Sequence, residues 1–143
     1  MSETTITLGP AVESMGRGHA RVVPVRAYFR SDGSHVVSQN GKYVLILQKD
    51  GNLVLYEVVG EPYPWFKGPT FKVKPIWASG TKGPRNFATL QDDGNFVIFQ
   101  DNHDTPVWAT YTHGTTAVGL FIQDDGILVI YKEAPAWASN TSR

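Results

Sequence analysis

The sequence predicts an all-β domain built from three copies of one hairpin unit, and three observations carry that prediction. A nine-residue phrase recurs, at Gln48 to Tyr56, Gln91 to Phe99 and Gln123 to Tyr131. Each copy places an Asp-Gly pair between short β-branched and aromatic runs, the strongest local signal for a hairpin turn. Each copy is followed by a Pro-x-Trp-Ala tetrad, at 75–78, 106–109 and 135–138. Repetition of this kind means that one structural unit has been used three times.

Taken in chain order, residues 1–26 do not match the repeat and contain the Gly-rich Gly16-Arg17-Gly18; they read as an extension, partly ordered at most, ahead of a domain at 27–143. Tyr43 to Leu47 and Leu53 to Tyr56 are the first pair of strands, joined across Asp50-Gly51. Side chains alternate along a strand, so Leu45, Leu47, Leu53 and Leu55 share one face while Gln48, Val54 and Tyr56 share the other. That parity requires a loop with an odd number of residues, and Asp50-Gly51-Asn52 is the expected one. An insertion, Glu57 to Lys74, carries the aromatic Tyr63-Pro64-Trp65-Phe66 and separates this hairpin from its tetrad. The second repeat sorts Ala88, Leu90, Phe96 and Ile98 onto an apolar face around Asp93-Gly94; the third sorts Leu120, Ile122, Leu128 and Ile130 around Asp125-Gly126. No single repeat can bury its own apolar face, so the three are expected to close on one core about a pseudo-threefold axis. Trp77, Trp108 and Trp137 are expected to fill its middle.

Composition bounds the remaining possibilities. The 143 residues with 41% hydrophobic content suit one domain. Thirteen basic against thirteen acidic side chains leave no electrostatic footprint for nucleic acid and no polybasic membrane anchor. No apolar run reaches the length of a membrane span, so no membrane insertion is expected. The first five residues, Met1 to Thr5, lack the basic start and apolar stretch of a signal peptide, so the expectation is a cytoplasmic protein or one released without a classical signal. With no cysteine there is neither disulfide nor thiolate metal site. His19, His35, His103 and His113 show no ligand spacing, and neither metal nor cofactor is expected. Asp92-Asp93 and Asp124-Asp125 are neighbours whose side chains point apart, which does not suit a pair of catalytic carboxyls; Asp92 and Asp124 read as solvated turn charges and no enzymatic activity is expected. Asn140-Thr141-Ser142 matches the N-glycosylation pattern but, without a secretion signal, is expected to be unused.

The recurring phrase has a chemistry of its own. A pyranose offers hydroxyls that donate and accept, beside patches of C–H, so its site needs donors, acceptors and a small apolar contact. Gln48, Asp50 and Asn52 supply the first two, Val54 the contact and Tyr56 a further hydroxyl. The phrase Gln48-x-Asp50-x-Asn52-x-Val54-x-Tyr56, repeated and followed by Pro-x-Trp-Ala-[Ser/Thr], resembles the bulb-type (monocot) mannose-binding lectin family over roughly residues 27–143. The resemblance implies a β-prism II fold of three four-stranded sheets, a mannose pocket on each sheet and no catalysis. It implies that Asp50 and Asn52 hold the axial 2-hydroxyl of mannose, Gln48 the 3-hydroxyl and Tyr56 the 4-hydroxyl. Plant members of the family usually carry cysteine where Gly51 stands, so this chain is more similar to cysteine-free members.

The copies are unequal. The first keeps all five positions; the second, Gln91, Asp93, Asn95, Val97 and Phe99, lacks the tyrosine hydroxyl. The third, Gln123, Asp125, Val129 and Tyr131, has Ile127 in place of asparagine and is expected to be weak or dead. The expected partners are mannose and mannosylated glycans or glycoproteins. Family resemblance also implies a homodimer formed by exchange of the segment after Tyr131, through Trp137 to Arg143. The competing class is an interaction or toxin-like protein that uses the prism only as a scaffold.

Overall fold

The computed structural model describes residues 4–62, 70–100, 105–114, 116–132 and 135–139. Trp65, His103 and Asn140 lie outside them. The described residues form fourteen strands and no helix. The N-terminal strands are β1 (Thr4–Thr7), β2 (Met15–Arg17), β3 (Ala20–Val23), β4 (Tyr28–Arg30) and β5 (His35–Val37). The first repeat gives β6 (Tyr43–Leu47), β7 (Leu53–Val58) and β8 (Thr70–Ala78). The second gives β9 (Phe87–Leu90), β10 (Phe96–Phe99) and β11 (Pro106–Ala109); the third gives β12 (Gly119–Gln123), β13 (Leu128–Tyr131) and β14 (Pro135–Ala138).

These strands make three antiparallel sheets, one per repeat. The first has the order β1-β8-β7-β6-β5, the second β11-β10-β9-β4 and the third β14-β13-β12-β3-β2. Each repeat thus supplies three adjacent strands, and the fourth comes from the N-terminal stretch, which hands β3, β4 and β5 in turn to the third, second and first sheets. Two differences from the sequence reading follow. Two sheets are five-stranded rather than four, because β1 and β2 add at an edge. The boundary after residue 26 also cuts through a sheet: β3 pairs with β12 from Ala20↔Gln123 to Leu120↔Val23, and β1 pairs with β8. β1, β2 and β3 are therefore integral members of the sheets. Their repeat signature is missing because they complete the unit from outside it.

The insertion after Tyr56 is likewise strand at its flanks. Glu57 pairs with Lys74 and Val58 with Val73, so the first repeat's outer hairpin is longer than the others. In every repeat the register slips at the same place, opposite the tetrad proline: Tyr56↔Pro75, Phe99↔Pro106 and Tyr131↔Pro135. Proline has no N–H to give a ladder, and a bulge is where a sheet tolerates one.

The core follows the predicted parity. Leu45, Leu47, Leu53, Leu55, Ala88, Leu90, Phe96, Ile98, Leu120, Ile122, Leu128 and Ile130 all face a single buried cluster. Trp77, Trp108 and Trp137 pack against it as a mutual edge-to-face triad, with ring centroids 5.6, 5.7 and 5.9 Å apart. The segment expected to leave for a partner, β14, pairs here with β13 of its own chain, and Trp137 completes its own triad.

Candidate functional site

The motif residues sit across the β6–β7 turn and on the outward face of β7. Leu47 pairs with Leu53; the loop is closed by Gln48 N donating to Asn52 O (3.0 Å) and Gly51 N to Gln48 O (2.9 Å). The three-residue loop is therefore 49–51 rather than 50–52, with the parity unchanged. Its last residue, Gly51, has φ +87°, as Gly94 (+89°) and Gly126 (+86°) have in the other turns, a region that admits glycine without strain. A Cβ on Gly51 would also strike the backbone of Gly83, so the turn makes a close backbone approach there. Gly83 N donates to Asp50 O (2.9 Å), which fastens the turn to the segment after β8.

Within this frame the polar groups form one connected chain. The Tyr56 hydroxyl donates to Gln48 Oε1, which turns Gln48 Nε2 toward both Asp50 carboxylate oxygens at 3.3 Å. Asp50 Oδ1 accepts from Asn52 N at 2.9 Å. Asn52 Oδ1 accepts from Gly80 N (2.8 Å) and from the Ser79 hydroxyl (3.2 Å). Burial, and then the charge of Asp50, push the Tyr56 phenol above its usual pKa, so it stays a donor. Each group spends part of its capacity on this chain and keeps the rest: Asn52 its Nδ2, Asp50 the remaining lone pairs of its two oxygens, Gln48 an N–H. Val54 and Tyr56 form the floor, 3% and 6% exposed, and Asp50 is exposed at the rim.

The second sheet repeats the arrangement without the phenol. Asp93 Oδ1 accepts from Asn95 N (2.9 Å), and Asn95 Oδ1 accepts from Thr112 N (3.2 Å) and the Thr110 hydroxyl (3.3 Å). Gln91, Asn95, Val97 and Phe99 line a 390 Å³ hollow with Trp108 and Tyr111. The third sheet keeps the phenol chain and loses the amide: Tyr131 donates to Gln123 Oε1 (2.7 Å), Gln123 Nε2 to Asp125 (3.2 Å) and Ile127 N to Asp125 Oδ1 (3.1 Å). Val129 is buried beneath them.

Sequence reasoning missed the residues that hold the turns in place. Ser79, Thr110 and Ser139, each directly after Trp-Ala, accept from Leu53 N, Phe96 N and Leu128 N. Thr81 and Asn86 both donate to Gly51 O, at 2.6 and 3.1 Å, and Thr112 donates likewise to Gly94 O. The recurring hydroxyl after each Trp-Ala was the available signal. The two aspartates read as solvated turn charges are engaged instead. Asp92 forms a two-pronged ion pair with Arg26 (2.7 and 2.8 Å) that lowers its pKa, and Asp124 accepts from Asn40 N (2.9 Å) with His19 3.8 Å away. Among the described residues no group of three or more His, Asp or Glu is placed to hold a metal ion.

Three sheets closed on one core, each presenting outward a set of fixed donors and acceptors beside an apolar floor, define the lectin class of β-prism domains. No family model matches the chain. The mannose-specific lectin of Aloe arborescens is 38% identical over 108 residues, 72% of this chain and 84% of that protein. Further mannose-specific lectins are matched over only 30% and 49% of their own length. Among solved structures, a monomeric monocot mannose-binding lectin from Gastrodia elata superposes with a TM-score of 0.62 at 27% identity, covering 83% of this chain and 96% of that one. The snowdrop (Galanthus nivalis) mannose-specific agglutinin, in complex with methyl-α-D-mannoside, superposes with a TM-score of 0.54 at 30% identity, covering 81% and 92%. The chain belongs to the bulb-type, monocot mannose-binding lectin family, and it is a member without cysteine.

Proposed function

We propose that this chain is a mannose-binding lectin without catalytic activity. The observation that carries the reading is the unbroken chain from Tyr56 through Gln48 and Asp50 to Asn52, which orients every free donor and acceptor outward beside Val54. Asp50 and Asn52 then take the axial 2-hydroxyl, Gln48 the 3-hydroxyl and Tyr56 the 4-hydroxyl. A sugar epimeric at carbon 2 leaves these groups unpaired, a cost of about 1–3 kcal/mol. The same logic ranks the sites: the first, then the second without its phenol, then the third, where Ile127 removes the amide.

A pocket making a few hydrogen bonds in competition with water binds one monosaccharide weakly, so useful strength comes from several sites on one particle, which a homodimer doubles. The partners are then mannosylated glycans displayed in many copies. Calorimetry with methyl α-mannoside tests the site. Asp50→Ala is expected to weaken binding at the first site by at least tenfold, about 1.4 kcal/mol, while the fold persists. Unchanged affinity in that variant would sink the assignment. Crystals soaked in mannose test the ranking, and density in the third site with the first empty would refute it.

A further inference from the structure

We propose that the third sheet carries a second kind of saccharide site, for an oligosaccharide bearing a carboxylate, on the flank of its motif that faces β2 and β3. The inference rests on the reading of the chain as a sugar binder but not on its specificity for mannose. A groove of 880 Å³ lies here, more than twice the 390 Å³ of the second sheet's hollow. It is walled by Arg17 and the Gly18-His19 turn, floored by Ala20 and Phe121, and edged by Gln123, Tyr131 and Lys132 together with the carboxylates of Asp124 and Asp125. It exists because β2 folds beside β3, a strand that the second sheet lacks. On the first sheet the position equivalent to Phe121 is Ile46, sealed in a cluster with Ile6 and Leu8. That volume exceeds one pyranose ring and lies within the usual range for ligand sites, which calls for more than one sugar.

The lining supplies two kinds of contact. Tyr131 and Gln123 present the same hydroxyl-reading pair as the first site, and the half-buried Tyr131 ring, packed edge to face on Phe121 at 4.8 Å and 73°, offers an apolar surface to sugar C–H groups. The charges are divided unequally in availability. Asp125 is held by Gln123 and by Ile127 N, and Asp124 by Asn40 N with His19 near its other oxygen. Among the described residues no carboxylate pairs with Arg17 or Lys132. The Arg17 guanidinium lies over the Phe121 ring, 5.9 Å from its centre. A guanidinium with no carboxylate partner keeps its N–H fork for a planar, two-pronged one, and a carboxylate is that partner. Ile127, which handicaps the third motif for an axial 2-hydroxyl, does not line this groove.

The test titrates the full chain with trigalacturonate and with 3′-sialyllactose, using lactose as the neutral parent and methyl α-mannoside in parallel. Saturable binding of the acidic sugars above lactose is expected. Arg17→Ala is expected to weaken it about tenfold, the loss of a charge-assisted pair, and Arg17→Lys to weaken it less. Arg17 is exposed on an edge strand, and a thermal melt matching wild type verifies folding of the variants. Asp50→Ala leaves acidic-sugar binding intact while reducing mannoside binding. Acidic sugars that bind no better than lactose, or as well to Arg17→Ala as to wild type, overturn the proposal. Absence of mannoside binding with acidic binding retained would sink the mannose reading alone.

Discussion

The carboxamide of Asn52 divides its ends between fold and ligand: its oxygen is committed to Gly80 N and the Ser79 hydroxyl, leaving its NH₂ outward. Asn95 does the same with Thr112 N and Thr110, whereas Ile127 can do neither; there the Ser139 hydroxyl accepts from Leu128 N, and Asp124 accepts from Asn40 N. Replacing Asn52 therefore loses turn anchorage together with a ligand donor, which makes Asp50 the cleaner probe of binding. His35 is the residue that reports on pH. It is 8% exposed, its Nδ1 has no partner, and burial pushes its pKa down against the carbonyls of Pro10, Gly33 and Gly9, which favour the charged form. The folded state holds the ring neutral, while in the unfolded chain it titrates near its ordinary value of about 6.5. Stability from this group is complete above that pH and is lost as pH falls toward the lower, folded value. The urea midpoint is expected to drop between about pH 7.5 and 5.5, and His35→Gln to flatten that dependence; an equal slope in both proteins would count against the assignment.

Among the elements, the hairpins were legible and the strands that complete their sheets were not. A hairpin is written locally: Asp-Gly at the turn, alternation on both sides, and a tetrad that marks the return strand. Ala20 to Val23 and Tyr28 to Arg30 are three or four residues long, too short for periodicity to speak, and their partners Leu120 to Gln123 and Phe87 to Thr89 lie far along the chain. The candidate site divides in the same way. Its five-residue motif repeats and so announces itself, while Ser79, Thr81 and Asn86 are ordinary polar residues whose role appears only when the chain folds back on Gly51. The tetrad tryptophans lock the return strands together. Trp108 meets Trp77, Trp137 and Phe96 edge to face, at 5.6, 5.9 and 6.4 Å. Trp108→Ala is expected to cost about 3 kcal/mol, seen as a lower melting temperature. A melt within a degree or two of wild type would show that the triad is ornamental to stability.

For the molecule as a whole, three motif-bearing faces on one core give a single chain three candidate sites before any assembly. Sedimentation at micromolar concentration, paired with agglutination of mannan-coated particles, separates the contributions. A homodimer is expected, and a monomer that still agglutinates would show that the sites of one chain suffice. Removal of residues 1–26 tests where the domain begins: it strips β3 from β12 and with it Val22 and Val23, 5% and 1% exposed. Loss of soluble protein is expected, whereas a truncation that stays soluble with an unchanged melt would restore the boundary at 27. The threading of β3, β4 and β5 through all three sheets also governs how the chain is born. The strands made first are those whose partners are made last, β3 waiting for β12. The nascent polypeptide therefore carries bare strand edges until its final third leaves the ribosome, and non-local pairing of this kind closes slowly. Yield in the cell then depends on how well those edges are shielded during synthesis, as well as on the stability of the finished prism.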